Sequence, residues 1–318
     1  MPSEFELIHR YFSRQSRRGD IELGVGDDAA LLRPPSGKIL AVTVDTLIAG
    51  VHFPEQTPPE DIGHKSLAVN LSDLAAMGAE PAWATLAITL PHADHQWLQA
   101  FAEGFFGLAN RYDVALVGGD TTRGPLSITV QALGWVSKED ALLRRGARPG
   151  DGIFVTGTLG DAGLGLAVVQ SKISVHPSHQ AFLLARLNRP EPRVEVGLAL
   201  RGLATAMIDV SDGLIADLGH LLDASGVGAQ IELARLPRSE AVREADTHGR
   251  LALTAGDDYE LVFTLPPGNE ADLTRHADRL PPCTYIGRIE SRPGLRLIDE
   301  EGDYMAFSHQ GYDHFREF

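Results

Sequence analysis

The sequence has little cysteine, no long apolar run and no segment that resembles a signal peptide, and each shortage argues against a class of protein. The single cysteine, Cys283, rules out an internal disulfide and a zinc site with several thiolates, so we interpret it as a small core residue. No stretch is long and apolar enough to form a membrane-spanning helix, and the N-terminal segment lacks the apolar core of a signal peptide. We therefore expect a soluble, cytoplasmic protein with no membrane partner.

Basic residues are also scarce, because 28 Lys and Arg stand against 43 Asp and Glu and give a formal net charge of -15. A surface of this sign repels a nucleic-acid backbone, so the composition argues against a nucleic-acid partner. It does not argue against phosphate-bearing small molecules, provided that metal cations lie between the two negative charges.

Two familiar nucleotide-binding signatures are absent: the P-loop pattern and the H-R-D and D-F-G set of protein kinases. The segment Gly24–Ala29 does fit G-x-G-x-x-A, and Asp45 follows at a suitable distance for a dinucleotide-binding acid. However, Pro34 and Pro35 would end a following helix after about one turn. Two carboxylates would also face the pyrophosphate, so we reject a dehydrogenase fold.

Hydrophobic residues make up 43% of the 318 positions, enough for two globular domains. The basic, Gly- and Pro-rich segment 141–152 suggests a boundary, so we expect an N-terminal domain over 1–140 and a C-terminal domain over 141–318. Alternating strand and helix patterns in both predict an α/β or α+β fold. The principal expected elements are strands at 39–44, 114–117 and 127–136, helices at 63–78, 211–222 and 270–280, and an irregular stretch at 171–190.

Aspartate next to glycine recurs where predicted strands end, and Asp73 lies on the Ala-rich helix of 63–78. A single aspartate of this kind usually serves a turn. Three pairs of closely spaced carboxylates are different, because clustered negative charges repel one another unless cations neutralise them. These pairs are Asp27 and Asp28, Asp209 and Asp212, and Asp257 and Asp258. An all-oxygen set without a His/Cys pattern suits Mg²⁺, which completes its shell with water and substrate phosphates. The pattern therefore indicates metal-dependent phosphate chemistry.

Six blocks, taken in order, closely resemble the thiamine-monophosphate kinases of the aminoimidazole-ribonucleotide-synthetase-like superfamily: GVGDDAALL, DTLIAGVHF, NLSDLAAMGAEP, GGDTTRGP, IDVSDGLIADLGHL and AGDDYELVF. The resemblance runs from Phe5 to Phe315. It implies an N-terminal domain that binds ATP and metal and whose sheet forms a dimer-spanning barrel in a homodimer, with a C-terminal α/β domain that completes an active-site cleft. It also implies transfer of the γ-phosphoryl group of ATP to thiamine monophosphate, with several Mg²⁺ ions.

The resemblance also assigns residues to roles. The implied magnesium ligands are Asp28, Thr43, Val44, Asp45, Asp73, Asp120, Asp209 and Asp212, among which Asp73, Asp120 and Asp212 are the implied catalytic residues. The implied ATP contacts are Gly119, Asp120, Arg144 and Ser211, and the implied substrate contacts are His52, Asp257, His309 and Tyr312. Val44 has no side-chain oxygen, so it could contribute only its carbonyl group, and Asp257 stands where the family motif can carry Glu.

Several alternatives stay open. Either His309 or Tyr312 would stack on the substrate ring. Arg123 could steer phosphate or could be a solvated loop residue, and Lys65 could likewise be a surface residue of its helix. The glycine-rich turn of 157–165 could bind phosphate or could only permit close packing. The rival functions are another superfamily ATP-dependent enzyme, such as a ligase or maturation factor acting on a different acceptor, and a non-catalytic protein that binds magnesium or nucleotide.

Overall fold

The computed structural model describes residues 3–14, 16, 18–269, 273, 280–299 and 301–305. The chain divides into two compact units, which we call unit 1 (Met1–Leu74 and Ala79–Glu139) and unit 2 (Ala75–Gly78 and Asp140–Phe318). Both units combine helices with a β-sheet, consistent with the expected two-domain α+β class.

The main sheet of unit 1 has four strands in the order β3-β6-β4-β5, and β4 and β5 form its one parallel pair. The short strands β1 and β2 pair separately, and the first helix continues into a π-helical turn at Ile8–Phe12. The elements are α1 (Glu4–Leu7), β1 (Ile21–Leu23), β2 (Leu31–Leu32), β3 (Ile39–Ile48), α2 (Pro59–Ala76), β4 (Glu80–Leu90), α3 (His95–Arg111), β5 (Ala115–Arg123) and β6 (Ser127–Val136). Among the described residues this sheet is open, so one chain by itself forms no closed barrel.

Helices α2 and α3 approach each other closely because glycine occupies the contact positions. A Cβ atom on Gly63 would lie 2.1 Å from the carbonyl oxygen of Phe101, and one on Gly104 would lie 1.8 Å from that of Glu60. Both distances are far inside van der Waals contact, so only glycine fits without moving a backbone. This packing fixes the position of α2, the helix that carries Asp73.

Two strands of unit 1 are longer than their sequence patterns predict. The expected end of β3 at Val44 is wrong, because residues 45–48 continue to pair with β6. The expected end of β5 at Val117 is also wrong, because residues 118–123 continue to pair with β4. Asp45 and Asp120 therefore lie within strands, where the backbone ladder fixes their direction. The predicted bounds of the strand at 127–136 are confirmed.

In the part of unit 2 that the structure describes, seven strands form a sheet in the order β13-β12-β9-β11-β7-β10-β8, and β9 and β12 are its one parallel pair. The apolar core of unit 2 includes Leu214, Leu218 and Leu221 of the helix that was expected at 211–222 and that forms over Leu214–Ser225. The elements are β7 (Gly152–Thr156), α4 (Asp161–Val169), α5 (Pro177–Asn188), α6 (Val194–Ala199), β8 (Ala206–Asp209), α7 (Leu214–Ser225), β9 (Gly228–Glu232), α8 (Glu240–Ala245), α9 (Arg250–Thr254), β10 (Leu261–Leu265), β11 (Cys283–Glu290), β12 (Gly294–Ile298) and β13 (Tyr304–Met305).

The expectation of an irregular stretch at 171–190 is wrong, because Pro177–Asn188 forms α5. Pro177 stands in the first turn, where its missing N–H costs nothing, and the ring of His176 accepts a hydrogen bond from the Ser178 N–H. Leu183 and Leu187 are buried at i, i+4 spacing. The predicted helix at 270–280 lies largely outside the described residues.

Candidate functional site

In unit 1, the first group of predicted site residues lies on β3 and on the neighbouring helix α2. Thr43 and Asp45 share one face of β3, since residues two apart on a strand point to the same side. The Thr43 hydroxyl donates a hydrogen bond to the carboxylate of Asp73 on α2. Asp45 lies near enough to Asp73 for the two negative charges to interact. The structure thus places three predicted metal ligands around one point.

The electrostatics of this group favour a cation. Burial, and then the negative charge of Asp73, raise the pKa of Asp45 to about 6, which means that the ionised form is disfavoured where it stands. A divalent cation would relieve both costs, and carboxylate and hydroxyl oxygens are the donors that Mg²⁺ prefers. Across the described ranges, however, no cluster of three or more His, Cys, Asp and Glu side chains is arranged to hold a metal ion. Two carboxylates and a hydroxyl would leave the remaining positions to water or substrate oxygens.

Val44 points away from this group. It lies between Thr43 and Asp45, so its side chain emerges on the opposite face of β3, where it is 57% exposed. Any contribution of Val44 to a metal would have to come from its backbone.

His52 lies just beyond the end of β3, where its N–H donates to the carbonyl oxygen of Ile48 at 3.0 Å. Its ring Nδ1 accepts a hydrogen bond of 3.0 Å from the Ile48 N–H, so this nitrogen carries no proton. Its carbonyl oxygen accepts one of 3.3 Å from the ammonium group of Lys65. Lys65 is only 2% exposed, so reading it as a surface residue is wrong. The buried ammonium group instead anchors the backbone of the predicted substrate contact.

The second group in unit 1 lines a cavity of about 590 Å³. Asp28 lies in its wall, and Gly119 and Asp120 of β5 lie there as well. The wall also includes apolar side chains of the N-terminal helical segment, Phe5, Ile8 and Phe12. Three residues that the sequence assigns to ATP or metal therefore meet at one cavity, with an apolar surface beside them.

Gly119 is required where it stands. Its φ of 152° lies in the region that favours glycine, and a Cβ there would lie 1.9 Å from the carbonyl oxygen of Leu86 on β4. The absence of a side chain lets β5 pair with β4 and turn Asp120 into the cavity wall. The glycine pair before Asp120 thus serves the sheet as well as the site.

The two groups of unit 1 are far apart within one protomer. Asp45 is on β3 and Asp120 is on β5, which are the two edge strands of the sheet. Three interstrand spacings of about 4.8 Å separate them by roughly 14 Å. The ladders also place them on opposite faces, because Asp45 pairs through β6 and β4 with Gly119, the neighbour of Asp120. One ion cannot bind both carboxylates of the same chain.

In unit 2, the predicted residues Asp209, Ser211 and Asp212 lie where β8 ends and α7 begins. The turn is held by Asp217, whose Oδ2 accepts hydrogen bonds of 3.0 Å from the N–H groups of both Ser211 and Asp212. Burial, followed by the charge of Asp209, raises the pKa of Asp217 to about 8 despite these hydrogen bonds. The charges of Asp209 at the end of β8 and of Asp212 in the turn both act on Asp217 of α7, which again favours a cation nearby.

Asp257 lies beside this turn. Its N–H donates to the carbonyl oxygen of Ser211 at 2.9 Å, and the N–H of Tyr259 donates to that of Val210 at 2.8 Å. These bonds extend the β10–β8 pairing into the loop. The structure therefore brings a predicted substrate contact, Asp257, next to a predicted ATP contact, Ser211, within unit 2.

The glycine-rich turn before α4 is occupied by the chain's own carboxylate. The N–H groups of Gly160 and Ala162 donate to the two oxygens of Asp258, at 2.7 and 3.4 Å. These are groups that a phosphate-binding turn would offer to its ligand. A Cβ on Gly160 would lie 2.9 Å from the Ala252 nitrogen and one on Gly163 would lie 2.3 Å from the Ala255 Cβ, so the packing alternative is the one the structure supports.

The structure gives less information on the surroundings of the remaining residues named from the sequence. The side chain of Arg144 is exposed, and its carbonyl oxygen accepts from Ser225 at the far end of α7 from Asp212. Arg123 is exposed at the end of β5. Cys283 is half-buried, with burial raising its pKa to about 11. His309 and Tyr312 lie outside the described residues, so their roles stay predictions.

Two family models match the chain: the AIR synthase related protein N-terminal domain over residues 26–136, and the corresponding C-terminal domain over residues 148–300. Thiamine-monophosphate kinase of Salmonella typhimurium is 50% identical over 319 residues, covering 98% of each chain. The chain belongs to the thiamine-monophosphate kinase family. The resemblance inferred from the six sequence blocks is therefore confirmed.

Solved structures agree with this membership. A thiamine-monophosphate kinase from Stenotrophomonas maltophilia K279a superposes with a TM-score of 0.85 at 50% identity, over 91% of this chain and 93% of that one. AaThiL complexed with AMPPCP and TMP gives a TM-score of 0.79 at 32% identity, over 89% of each chain. Within the described part of the chain, no helix has both the length and the hydropathy to span a membrane.

Sequence reasoning missed three residues that shape these sites: Asp217, Tyr259 and Glu260. Asp217 follows Asp212 by five positions and interrupts the apolar pattern of α7, which was the available signal. Glu260 is fully buried and accepts hydrogen bonds from Thr156, Arg186 and Arg193. Nothing in its local pattern indicates burial, because the arginines that neutralise it are more than 60 residues away in sequence.

Proposed function

We propose that this chain catalyses the ATP-dependent phosphorylation of thiamine monophosphate to thiamine diphosphate. The observation that carries the proposal is the family relationship, which extends over essentially the whole chain at 50% identity. The carboxylate groups around Asp73, Asp120 and Asp212 support it, because they supply oxygen ligands in a chain whose net charge would otherwise repel phosphates. Because the proposed reaction consumes ATP, we also propose a cytoplasmic location.

The acceptor needs no general base. A phosphate monoester has a second pKa of about 6, so at neutral pH its oxygen is already a nucleophile. The difficulty is that two anions must approach in line, and it is met by positioning and charge neutralisation. We therefore propose direct transfer without a phosphorylated aspartate on the enzyme.

The donor set fits Mg²⁺ by its chemistry: hard oxygen ligands, with two carboxylates whose charges oppose each other. Asp45 and Asp73 would hold the ion in unit 1, with the Thr43 hydroxyl orienting Asp73. Bound Mg²⁺ supplies charge neutralisation for phosphate oxygens. Asp28 and Asp120 would bind further Mg²⁺ at the cavity, with Gly119 against ATP. Asp209 and Asp212 would do so in unit 2.

The remaining roles follow the sequence assignments. In unit 2, Ser211 and Arg144 would contact ATP and Asp257 would contact thiamine monophosphate. In unit 1, His52 would contact thiamine monophosphate through the ring nitrogen that does not accept from Ile48. His309 and Tyr312 stay as proposed contacts to the thiamine ring.

We further propose a homodimer formed through the β3 edge of unit 1. One face of β3 exposes four apolar side chains to 41% or more: Leu40, Val42, Val44 and Ile48. An edge strand with such a face is a ready site for pairing with another chain. A dimer-spanning barrel would cover this surface. In such a dimer, Asp45 of one protomer and Asp120 of the partner subunit would serve one site, whereas a single ion cannot bind both carboxylates of the same chain.

Phosphorus NMR of the purified chain with Mg-ATP and thiamine monophosphate tests the reaction. We expect thiamine diphosphate and ADP in equal amounts, and no product when a chelator removes the metal. ATP that is bound but never consumed would support the non-catalytic alternative. Consumption of ATP only with another acceptor, such as an aminoimidazole precursor, would support the rival enzyme.

A further inference from the structure

We propose that Tyr259 is a positioning residue that orients the Asp257 carboxylate toward thiamine monophosphate. The inference rests on the proposed function, because it assigns the substrate contact at Asp257 a partner within the chain. The hydroxyl of Tyr259 donates a hydrogen bond of 3.1 Å to Oδ1 of Asp257. No assignment from the sequence included this tyrosine.

The backbone at these two positions is unusual. Asp257 has a φ of 68° and Tyr259 a φ of 50°, both in the left-handed region that residues with a side chain rarely adopt. An aromatic residue in this region is a marked outlier, and such conformations persist only where the surroundings impose them. Two of them, separated by one residue, indicate that this loop is held in one required shape.

The surroundings that impose this shape can be identified. Asp258, between the two strained residues, is 1% exposed and is fixed by the N–H groups of Gly160 and Ala162. Glu260, which follows them, is fully buried and accepts from Thr156 at 2.5 Å and from Arg193 at 2.7 Å. Arg186 adds a further bond to Glu260 at 2.9 Å. The acids at positions 258 and 260 are thus anchors inside unit 2.

The backbone of the strained residues is anchored as well. Asp257 donates its N–H to Ser211 and Tyr259 donates its N–H to Val210. Once the backbone is fixed, the Asp257 side chain can still rotate about two bonds. The Tyr259 hydroxyl restricts that rotation by holding one oxygen of the carboxylate, so the direction of the whole carboxylate group is set from within the loop. Because Tyr259 is only 8% exposed, its ring has little freedom to let the carboxylate move.

Tyr259→Phe tests the inference, since it removes the hydroxyl and keeps the ring. We expect KM for thiamine monophosphate to rise about tenfold, in the range typical of residues that orient a ligand-binding group. KM for ATP should stay at its wild-type value, which a general structural defect would not allow. Tyr304→Phe is the matched control, because this tyrosine of unit 2 is 68% exposed, and it should leave both constants unchanged.

A double-mutant cycle with Asp257→Asn shows whether the tyrosine acts through the aspartate. If it does, the double variant has the same KM for thiamine monophosphate as Asp257→Asn alone. If the two substitutions instead raised KM by independent factors that multiply in the double variant, the positioning role would be overturned. A Tyr259→Phe variant with the wild-type KM for thiamine monophosphate would also overturn it.

Calorimetric binding of thiamine monophosphate to the wild type and to Tyr259→Phe separates this inference from the proposed function. A wild-type chain that neither binds nor phosphorylates thiamine monophosphate overturns both. An active wild type with an equally tight-binding Tyr259→Phe variant overturns the positioning role alone. Tight binding to wild type that weakens about tenfold in the variant supports it, whatever the turnover.

Discussion

The hydroxyl of Thr43 on β3 donates a hydrogen bond to the carboxylate of Asp73 on α2. This contact links an edge strand to a helix whose position is fixed by glycine contacts with α3. A carboxylate on a rigid helix, oriented by a neighbouring hydroxyl, is prepared to bind a cation without reorganising. This arrangement supports the proposed catalytic role of Asp73, which the resemblance to the family implies.

Substitution of Asp73 by Asn should therefore reduce kcat by about 10²–10³, because it removes a charge that acts on the phosphates while retaining the shape of the side chain. Asp223→Asn is the control, since Asp223 is an exposed residue on α7. It should leave kcat within about twofold of wild type. Steady-state assays on folded variants, verified by circular dichroism, make the comparison. Near-normal turnover in Asp73→Asn would refute the assignment.

The pKa of Asp45 predicts a pH-dependent affinity for Mg²⁺. Burial and the charge of Asp73 raise this pKa to about 6, so the carboxylate loses its proton only as the pH rises through that value. Because a protonated carboxyl group is a poor ligand, Mg²⁺ binding should weaken as the pH falls from about 7.5 to about 5. Calorimetric titration of the chain with MgCl₂ at both pH values measures the effect.

Asp45→Asn should bind Mg²⁺ weakly and with a smaller pH dependence. The free energy of unfolding of the metal-free wild type should depend on pH in the opposite direction to the affinity for Mg²⁺. Where a carboxyl pKa is higher in the folded than in the unfolded state, the folded chain holds the extra proton, so this contribution to stability falls as the pH rises from about 4 to about 6. An affinity for Mg²⁺ that is equal at both pH values would contradict the assignment of Asp45.

The packing of α2 on α3 predicts opposite effects at two glycines of the same helix. Gly104→Ala should lower the free energy of unfolding by about 1–3 kcal/mol, because its Cβ would lie 1.8 Å from a backbone oxygen of α2. Gly107→Ala should raise it by about 0.5–1 kcal/mol, because that position has no neighbour within 4 Å and alanine favours the helix. Urea unfolding of both variants measures the difference, and equal effects would contradict the role of the close contact.

The sequence predicted the elements whose signal is local and missed those that depend on partners. The strand at 127–136 is rich in β-branched and aromatic residues, such as Ile128, Val130 and Trp135, and is found at its predicted bounds. The ends of β3 and β5 were placed too early because Asp45, Gly119 and Asp120 usually mark turns. In the sheet they remain in strands, since β6 and β4 supply hydrogen-bonding partners from elsewhere in the chain. Local preference gave way to long-range pairing.

The candidate sites show the same division. The candidate site residues could be named from aspartate pairs and motif order, because those features are properties of the sequence itself. The sequence could not show that Asp45 and Asp120 lie on opposite edges of one sheet, because strand order is set by pairing between distant segments. The contacts of Asp217 and Tyr259 were equally hidden, since each is a hydrogen bond that only the folded turn creates.

The separation of Asp73 and Asp120 within one chain leads to a test of the proposed dimer. Asp73 contacts β3 through Thr43, and Asp120 lies on β5 at the other edge of the sheet. If each site combines the β3 side of one protomer with the β5 side of its partner, then Asp73→Asn and Asp120→Asn place their defects in different halves of a site. A heterodimer of the two variants would then have one site with both defects and one intact site.

Unfolding and refolding an equimolar mixture of Asp73→Asn and Asp120→Asn should therefore restore activity that neither variant shows alone. Random pairing gives heterodimers in about half of the dimers, each with one intact site of two, so the mixture should recover about a quarter of wild-type activity. Val42→Asp added to both variants is the control, because a charge on the exposed face of β3 should prevent pairing and abolish the recovery. Recovery near zero, in a mixture shown by light scattering to be dimeric, would mean that each site is built from one chain and that the β3 edge serves assembly alone.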